Sequence, residues 1–111
     1  MSTLVESIGS NKSLQKLFLQ EVGAGDEGAA KLAALLKTSN LQLLAIANNK
    51  VTSEGMTALV EALRVNKSLT TIVLYGNPIG DEGAAALATV IKTSTTLIDV
   101  EYALFLGFFQ R

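Results

Sequence analysis

A repeat of 27–28 residues runs through this chain and limits its possible folds more than any other feature. Three segments align at that spacing: Leu14-Gln-Lys-Leu17-Phe-Leu19, Leu41-Gln-Leu-Leu44-Ala-Ile46 and Leu69-Thr-Thr-Ile72-Val-Leu74. A fourth, Leu97-Ile-Asp-Val100-Glu-Tyr102, follows 28 residues later. The register also extends backwards, because Leu4-Val5-Glu6 precedes Leu14 as Leu59-Val60-Glu61 precedes Leu69. Self-similarity at a fixed period of this size marks stacked supersecondary units, none of which can bury its apolar face alone.

Inside each unit the hydrophobic period changes. Leucine or isoleucine at the first, fourth and sixth places predicts a short strand with alternate residues inward. A turn follows, Ala47-Asn-Asn49-Lys-Val51 in one unit and Tyr75-Gly-Asn77-Pro-Ile79 in the next. Apolar residues then recur at helical spacing. Gly28, Leu32, Leu35 and Leu36 match Gly55, Leu59, Ala62 and Leu63, and again Gly83, Leu87, Val90 and Ile91. That stripe predicts an amphipathic helix packed on the strand layer. Asp26, Ser53 and Asp81 stand where each helix would begin and are expected to cap it. The glycines at 28, 55 and 83 are expected to let each helix approach the strands closely. The domain reading is one unit over 1–111: a partial helix at 3–9, repeats at about 11–39, 40–67 and 68–95, and a terminal strand with a divergent cap at 96–111.

Composition removes most chemistries. The chain has no Cys and no His, so zinc fingers, disulfide scaffolds, thiol nucleophiles and histidine triads are all excluded. A formal charge of −1 and 5% aromatic residues offer neither a basic field nor stacking platforms for nucleic acid, and no polybasic patch for a membrane. The apolar run from Ala103 to Phe109 is far shorter than the roughly 20 residues that span a bilayer. The first residues carry no secretory pattern, which leaves a soluble, cytoplasmic protein as the expectation.

The pattern Asn-x-Ser-Leu-x-x-Leu-x-Leu-x-x-Asn-x-Ile-Gly-Asp-Glu-Gly-Ala-x-x-Leu-Ala, nearly complete from Asn66 to Ala88, resembles the long leucine-rich repeat of the ribonuclease inhibitor type. Similar units occur in NOD-like receptors and in the Ran GTPase-activating protein. The second unit keeps Asn49 and Val51 but has Thr52-Ser53-Glu54-Gly55 for Gly-Asp-Glu-Gly. The first has Val22 at the turn-Asn position and Ala24 two places later. The resemblance covers about residues 4–102. It implies a right-handed α/β solenoid, a horseshoe segment with a parallel sheet on the concave face and helices on the convex face. It further implies that the concave face binds proteins. The family includes inhibitors, sensors and a GTPase activator, and a shared fold does not choose between them. Without cysteines, inhibition of a ribonuclease is not carried over, and no GTPase-activator catalytic residue matches a position here.

Other motifs have plainer explanations. Gly23-Ala-Gly25-Asp-Glu-Gly28 has the form of a dinucleotide fingerprint, yet Gly25 and Gly28 recur as Gly80 and Gly83, and Asp26 and Glu27 put negative charge where a pyrophosphate would sit. No cofactor is expected. Asp26, Glu27, Asp81 and Glu82 repeat at helix starts, which favours the helix dipole over a metal. Asn11-Lys-Ser13 and Asn66-Lys-Ser68 read as glycosylation sequons but occupy one repeat position before the strand, where Asn and Ser suit a turn. Asn49 and Asn77 are expected to satisfy backbone groups at the turns.

Function, if it is local, falls on strand positions pointing away from the core. These are Gln15, Lys16, Phe18 and Gln20, then Gln42, Leu43, Ala45 and Ala47, then Thr70, Thr71, Val73 and Tyr75, then Ile98, Asp99 and Glu101. Of them Lys16, Phe18, Gln20, Leu43, Thr71, Val73, Tyr75 and Glu101 are the candidate protein-binding residues. The row Phe18-Ala45-Val73-Glu101 reads either as a binding strip with aromatic anchors or as ordinary β-surface composition. Leu104, Phe105, Leu106, Phe108 and Phe109 stand where a turn is expected, as an improvised cap or a self-association contact. The functional expectation is a protein-interaction module without catalytic activity. The alternatives are a self-assembling fragment of a longer array and a regulatory protein of the GTPase-activator type.

Overall fold

A computed structural model describes residues 14–95 and the backbone of 99–101. Strands and helices alternate: β1 (Lys16–Phe18), α1 (Gly25–Leu36), β2 (Leu43–Ala45), α2 (Ser53–Val65), β3 (Thr71–Val73), α3 (Gly80–Thr93) and β4 (Asp99–Glu101). The strands form one parallel sheet in the order β1-β2-β3-β4, with Leu17, Leu44, Ile72 and Val100 in one register row. Each strand is three residues long, too short to persist on its own.

The core lies between sheet and helices. Leu17, Leu44 and Ile72 form one inward row, and Leu19, Ile46 and Leu74 form the next. Against them pack Leu32, Leu35 and Leu36 of α1, Met56, Leu59, Ala62 and Leu63 of α2, and Leu87 and Val90 of α3. Burying each large aliphatic side chain contributes about 1.5–3 kcal/mol before ordering entropy. Helices α1 and α2 each bury six residues, whereas α3 buries Gly83, Leu87 and Val90.

Two local expectations are corrected. Asp26, Ser53 and Asp81 do not cap their own helices. Helices α1 and α3 start at Gly25 and Gly80 with no side-chain cap, and α2 is capped by Thr52, whose hydroxyl accepts from the Glu54 amide. Asp26 and Asp81 lie one place inside the first turn, and the Asp26 carboxylate turns to the next repeat instead. It accepts from the Thr52 amide (2.7 Å), the Thr52 hydroxyl and the Gly55 amide (3.1 Å), so one repeat caps the helix of the following one.

The helix glycines also serve a different contact from the one expected. A Cβ on Gly55 would fall 2.5 Å from an Asp26 carboxylate oxygen and 3.0 Å from the Ala29 methyl, both on the preceding helix, besides 2.7 Å from Val51. One on Gly83 would fall 2.9 Å from Ile79 and 3.3 Å from Met56. These glycines therefore permit close helix-to-helix approach and a tight entry turn.

Candidate functional site

The outer face of the sheet is held in register by two turn asparagines. The Asn49 amide is fully buried; its nitrogen donates to the carbonyls of Leu19, Ile46 and Ala47, and its oxygen accepts from Val22 and Ala24. Asn77 repeats this one unit on, donating to Ile46 and Leu74 and accepting from the amides of Asn49 and Val51. Each asparagine satisfies the turn before it, so the outer positions of the first and second repeats are tied to the repeat that follows. Buried backbone groups left without such partners would cost about 1–3 kcal/mol each.

On this scaffold the candidate residues share one face. Lys16, Phe18 and Gln20 are exposed at β1; Leu43, Thr71, Val73 and Tyr75 are half-buried. Glu101 stands opposite Val73 in the β4 register. Leu104, Phe105, Leu106, Phe108 and Phe109, like the partial helix at 3–9, lie outside the described residues.

Ala45 and Ala47 were placed on the open surface by strand alternation, and the structure corrects that. Both are buried, yet neither belongs to the interior hydrophobic cluster. Ala45 sits in register between Phe18 and Val73, and Gln20 reaches the Tyr75 hydroxyl (3.4 Å) across the repeat that carries Ala47. Larger neighbours two strand spacings apart, about 9.5 Å, shade the methyl groups between them. Both alanines are covered, and the surface at this place is made by Phe18 and Val73 on either side of Ala45 and by the Gln20–Tyr75 pair. Phe18 is 60% exposed and is the most exposed large apolar side chain among the described residues. Sequence alternation identified the face but missed that its two alanines are covered; the signal was two small outward residues in one unit between large ones in its neighbours.

The same bonds bear on the other motifs. In the glycine-rich loop the amides of Val22 and Ala24 are held by the Asn49 side chain and that of Gly25 by the Asn49 carbonyl, so these donors are turned from any phosphate. The Asp26 carboxylate is committed to Thr52 and Gly55. Those bonds, the Thr52 hydroxyl first and then the Thr52 amide, hold its pKa below the ordinary 3.8 against a smaller opposing effect of burial. Among the described residues no three acidic side chains gather as a metal site, and no helix is long and apolar enough to cross a membrane. Asn66 of the second sequon is buried and donates its amide to the Leu36 carbonyl at 2.7 Å, a position that glycosylation would break.

Parallel three-residue strands, an asparagine at the second and third turns and one outer helix per unit define a repeat class. The model of the Leucine Rich repeat family matches residues 38–60 and 65–88, and this chain is a leucine-rich repeat protein. Its relatives include the NACHT, LRR and PYD domains-containing protein 3 of Bos taurus, 37% identical over 75 residues, and that of Rattus norvegicus, 37% identical over 69. These alignments cover 66% and 60% of this chain, and 7% of either relative's length. Among solved structures, Leiomodin-1 Actin-Binding Site 2 superposes with a TM-score of 0.85 at 25% identity, over 91% of this chain and 60% of that one. Repeat arrays of this class serve in general as protein-interaction modules.

Proposed function

We propose that this chain is a protein-interaction module whose binding surface is the outer face of the sheet, with Phe18 and Tyr75 as anchors. The single observation that carries the reading is the 60% exposed Phe18 ring, set in register with Ala45 and Val73 and beside the Gln20–Tyr75 pair, on backbone tied by the asparagine ladder. Neighbouring strands pack about 4.7–4.9 Å apart and helices about 8–10 Å apart. A stack with one of each per repeat bends with the strands on the inside, so the face is concave. Leiomodin-1 supports the reading, since its matching repeat region is named as an actin-binding site. An exposed aromatic beside a half-buried tyrosine is the kind of place where binding energy concentrates. The carboxylate of Asp26 and the loop amides are consumed by structure, which favours a binding role over catalysis.

The test is capture of a partner by the immobilised chain, compared with Phe18→Ala, Tyr75→Ala and the helix-side control Thr57→Arg. We expect both aromatic variants to lose the captured protein while melting as the wild type does, and the Thr57 variant to retain it. Retention by both aromatic variants with loss in the control would move the interface to the helical side.

A further inference from the structure

We propose that the cleft between the C-terminal ends of α2 and α3 is a binding site for an organic phosphate monoester. A cavity of about 320 Å³ lies there, within the size range of small-molecule sites. Comparison of the two helix junctions gives its origin. At the first, Asn66, the residue that ends α2, sends its buried amide back to the Leu36 carbonyl of α1 at 2.7 Å. The residue that ends α3 is Ser94, and it lines the cavity. A serine side chain is shorter than asparagine by the amide group, and space opens where the longer residue would reach across.

Size alone would make this a packing gap, but the walls are charged. Arg64 and Lys67 line the cavity, both exposed, and no acid lines it with them. Glu61, the nearest acid along α2, stands one turn before Arg64 and outside the lining. Arg64 is positioned by a bond across the junction: its guanidinium donates to the Thr89 hydroxyl of α3 at 3.3 Å, and that hydroxyl donates to the Ala86 carbonyl. The bond uses one of the five N–H groups of the guanidinium. A base in the last turn of a helix offsets the negative end of its dipole, which accounts for Arg64. That role needs one base, whereas the cavity has two, and Lys67 follows the cap. Two cations with no facing acid suit a dianion, and a phosphate monoester carries about −1.5 to −2 near neutral pH. The planar fork of Arg64 matches two phosphate oxygens, and Lys67 supplies a point charge. A phosphate group alone fills only part of the volume. The remainder, with the core residues Leu63 and Val90 at its base, takes a short carbon portion. The site is independent of the sheet face, so its failure would leave the reading of that face untouched.

The experiment is a titration of the isotope-labelled full chain with glycerol phosphate, capped phosphoserine and inorganic phosphate at constant ionic strength, read by amide chemical shifts. We expect saturable shifts centred on residues 63–67 and 93–95 with at least one monoester, and weaker binding of the inorganic ion. Tighter binding of glycerol phosphate marks a free small molecule as the source, and tighter binding of phosphoserine marks a phosphorylated side chain. Arg64→Gln and Lys67→Gln should each weaken binding about tenfold, the loss of one charge-assisted contact, with unchanged thermal melts. Ser94→Asn, which supplies the residue found at the first junction, should abolish binding in a chain that still melts cooperatively. Lys37→Gln, at the end of α1 and outside the cavity, should leave binding as it is. The proposal is overturned by the absence of saturable shifts with all three phosphates, or by acetate binding as tightly as the monoesters. Equal weakening by Lys37→Gln would overturn it too, since the cause would then be a diffuse basic edge. So would binding that survives both Arg64→Gln and Lys67→Gln, or a well-folded Ser94→Asn that binds as before.

Discussion

Asn49 and Asp26 show how much a single side chain can do when it acts across a repeat boundary. The Asn49 amide closes the turns of two successive repeats from a fully buried position. Asn49→Ala would leave the buried Leu19 carbonyl and the part-buried Val22 and Ala24 amides without their side-chain partner, and we expect a loss of about 3 kcal/mol in urea unfolding. Asn77→Ala, half-buried, should cost less. Asp26 has a pH signature. Its folded pKa lies below its ordinary value of 3.8, so its contribution is complete above that value and is lost as pH falls through the folded pKa. Unfolding midpoints measured from about pH 5 down to about pH 2 should therefore fall more steeply for the wild type than for Asp26→Asn. Equal slopes would show that the Thr52 bonds do not form in solution.

At the scale of elements, the helices set the tightest constraint. Gly55→Ala would place a methyl against the Asp26 carboxylate, Val51 and Ala29 together. Val51 and Ala29 are buried in the core and cannot swing away, so α1 and α2 must separate. We expect a loss of about 1–3 kcal/mol by thermal melting, larger than for Ala30→Gly on the exposed column of α1. The helical stripe itself was legible in the sequence, because leucine spacing reports which side of a helix is apolar. Which neighbour each glycine touches was not legible, since that depends on the spacing between helices rather than on any one of them.

For the whole molecule, a stacked array has stability that varies along its length, because each unit adds the interfaces it makes with its neighbours. The second repeat lies between two described repeats, and α3 buries fewer residues than α1 or α2. Native-state amide exchange should be slowest in β2 and α2 and fastest, among the described helices, in α3. Uniform protection across the three helices would mean that the array opens only as a single unit.

Local spacing alone determined the repeat, the strand-turn-helix order, the inward rows and the face that carries Lys16, Phe18 and Tyr75, since side-chain alternation follows from backbone geometry within one unit. Composition alone removed thiol, imidazole and basic-surface chemistry. What only the tertiary structure decided lies between units: Asp26 capping the following helix, Ala45 and Ala47 covered by larger neighbours, and the helix glycines set against the preceding helix. Those features arise from distances between residues 27–28 positions apart in the chain, brought to adjacent strand or helix spacing by stacking. A sequence pattern states that units stack, but their separation decides which side chains meet.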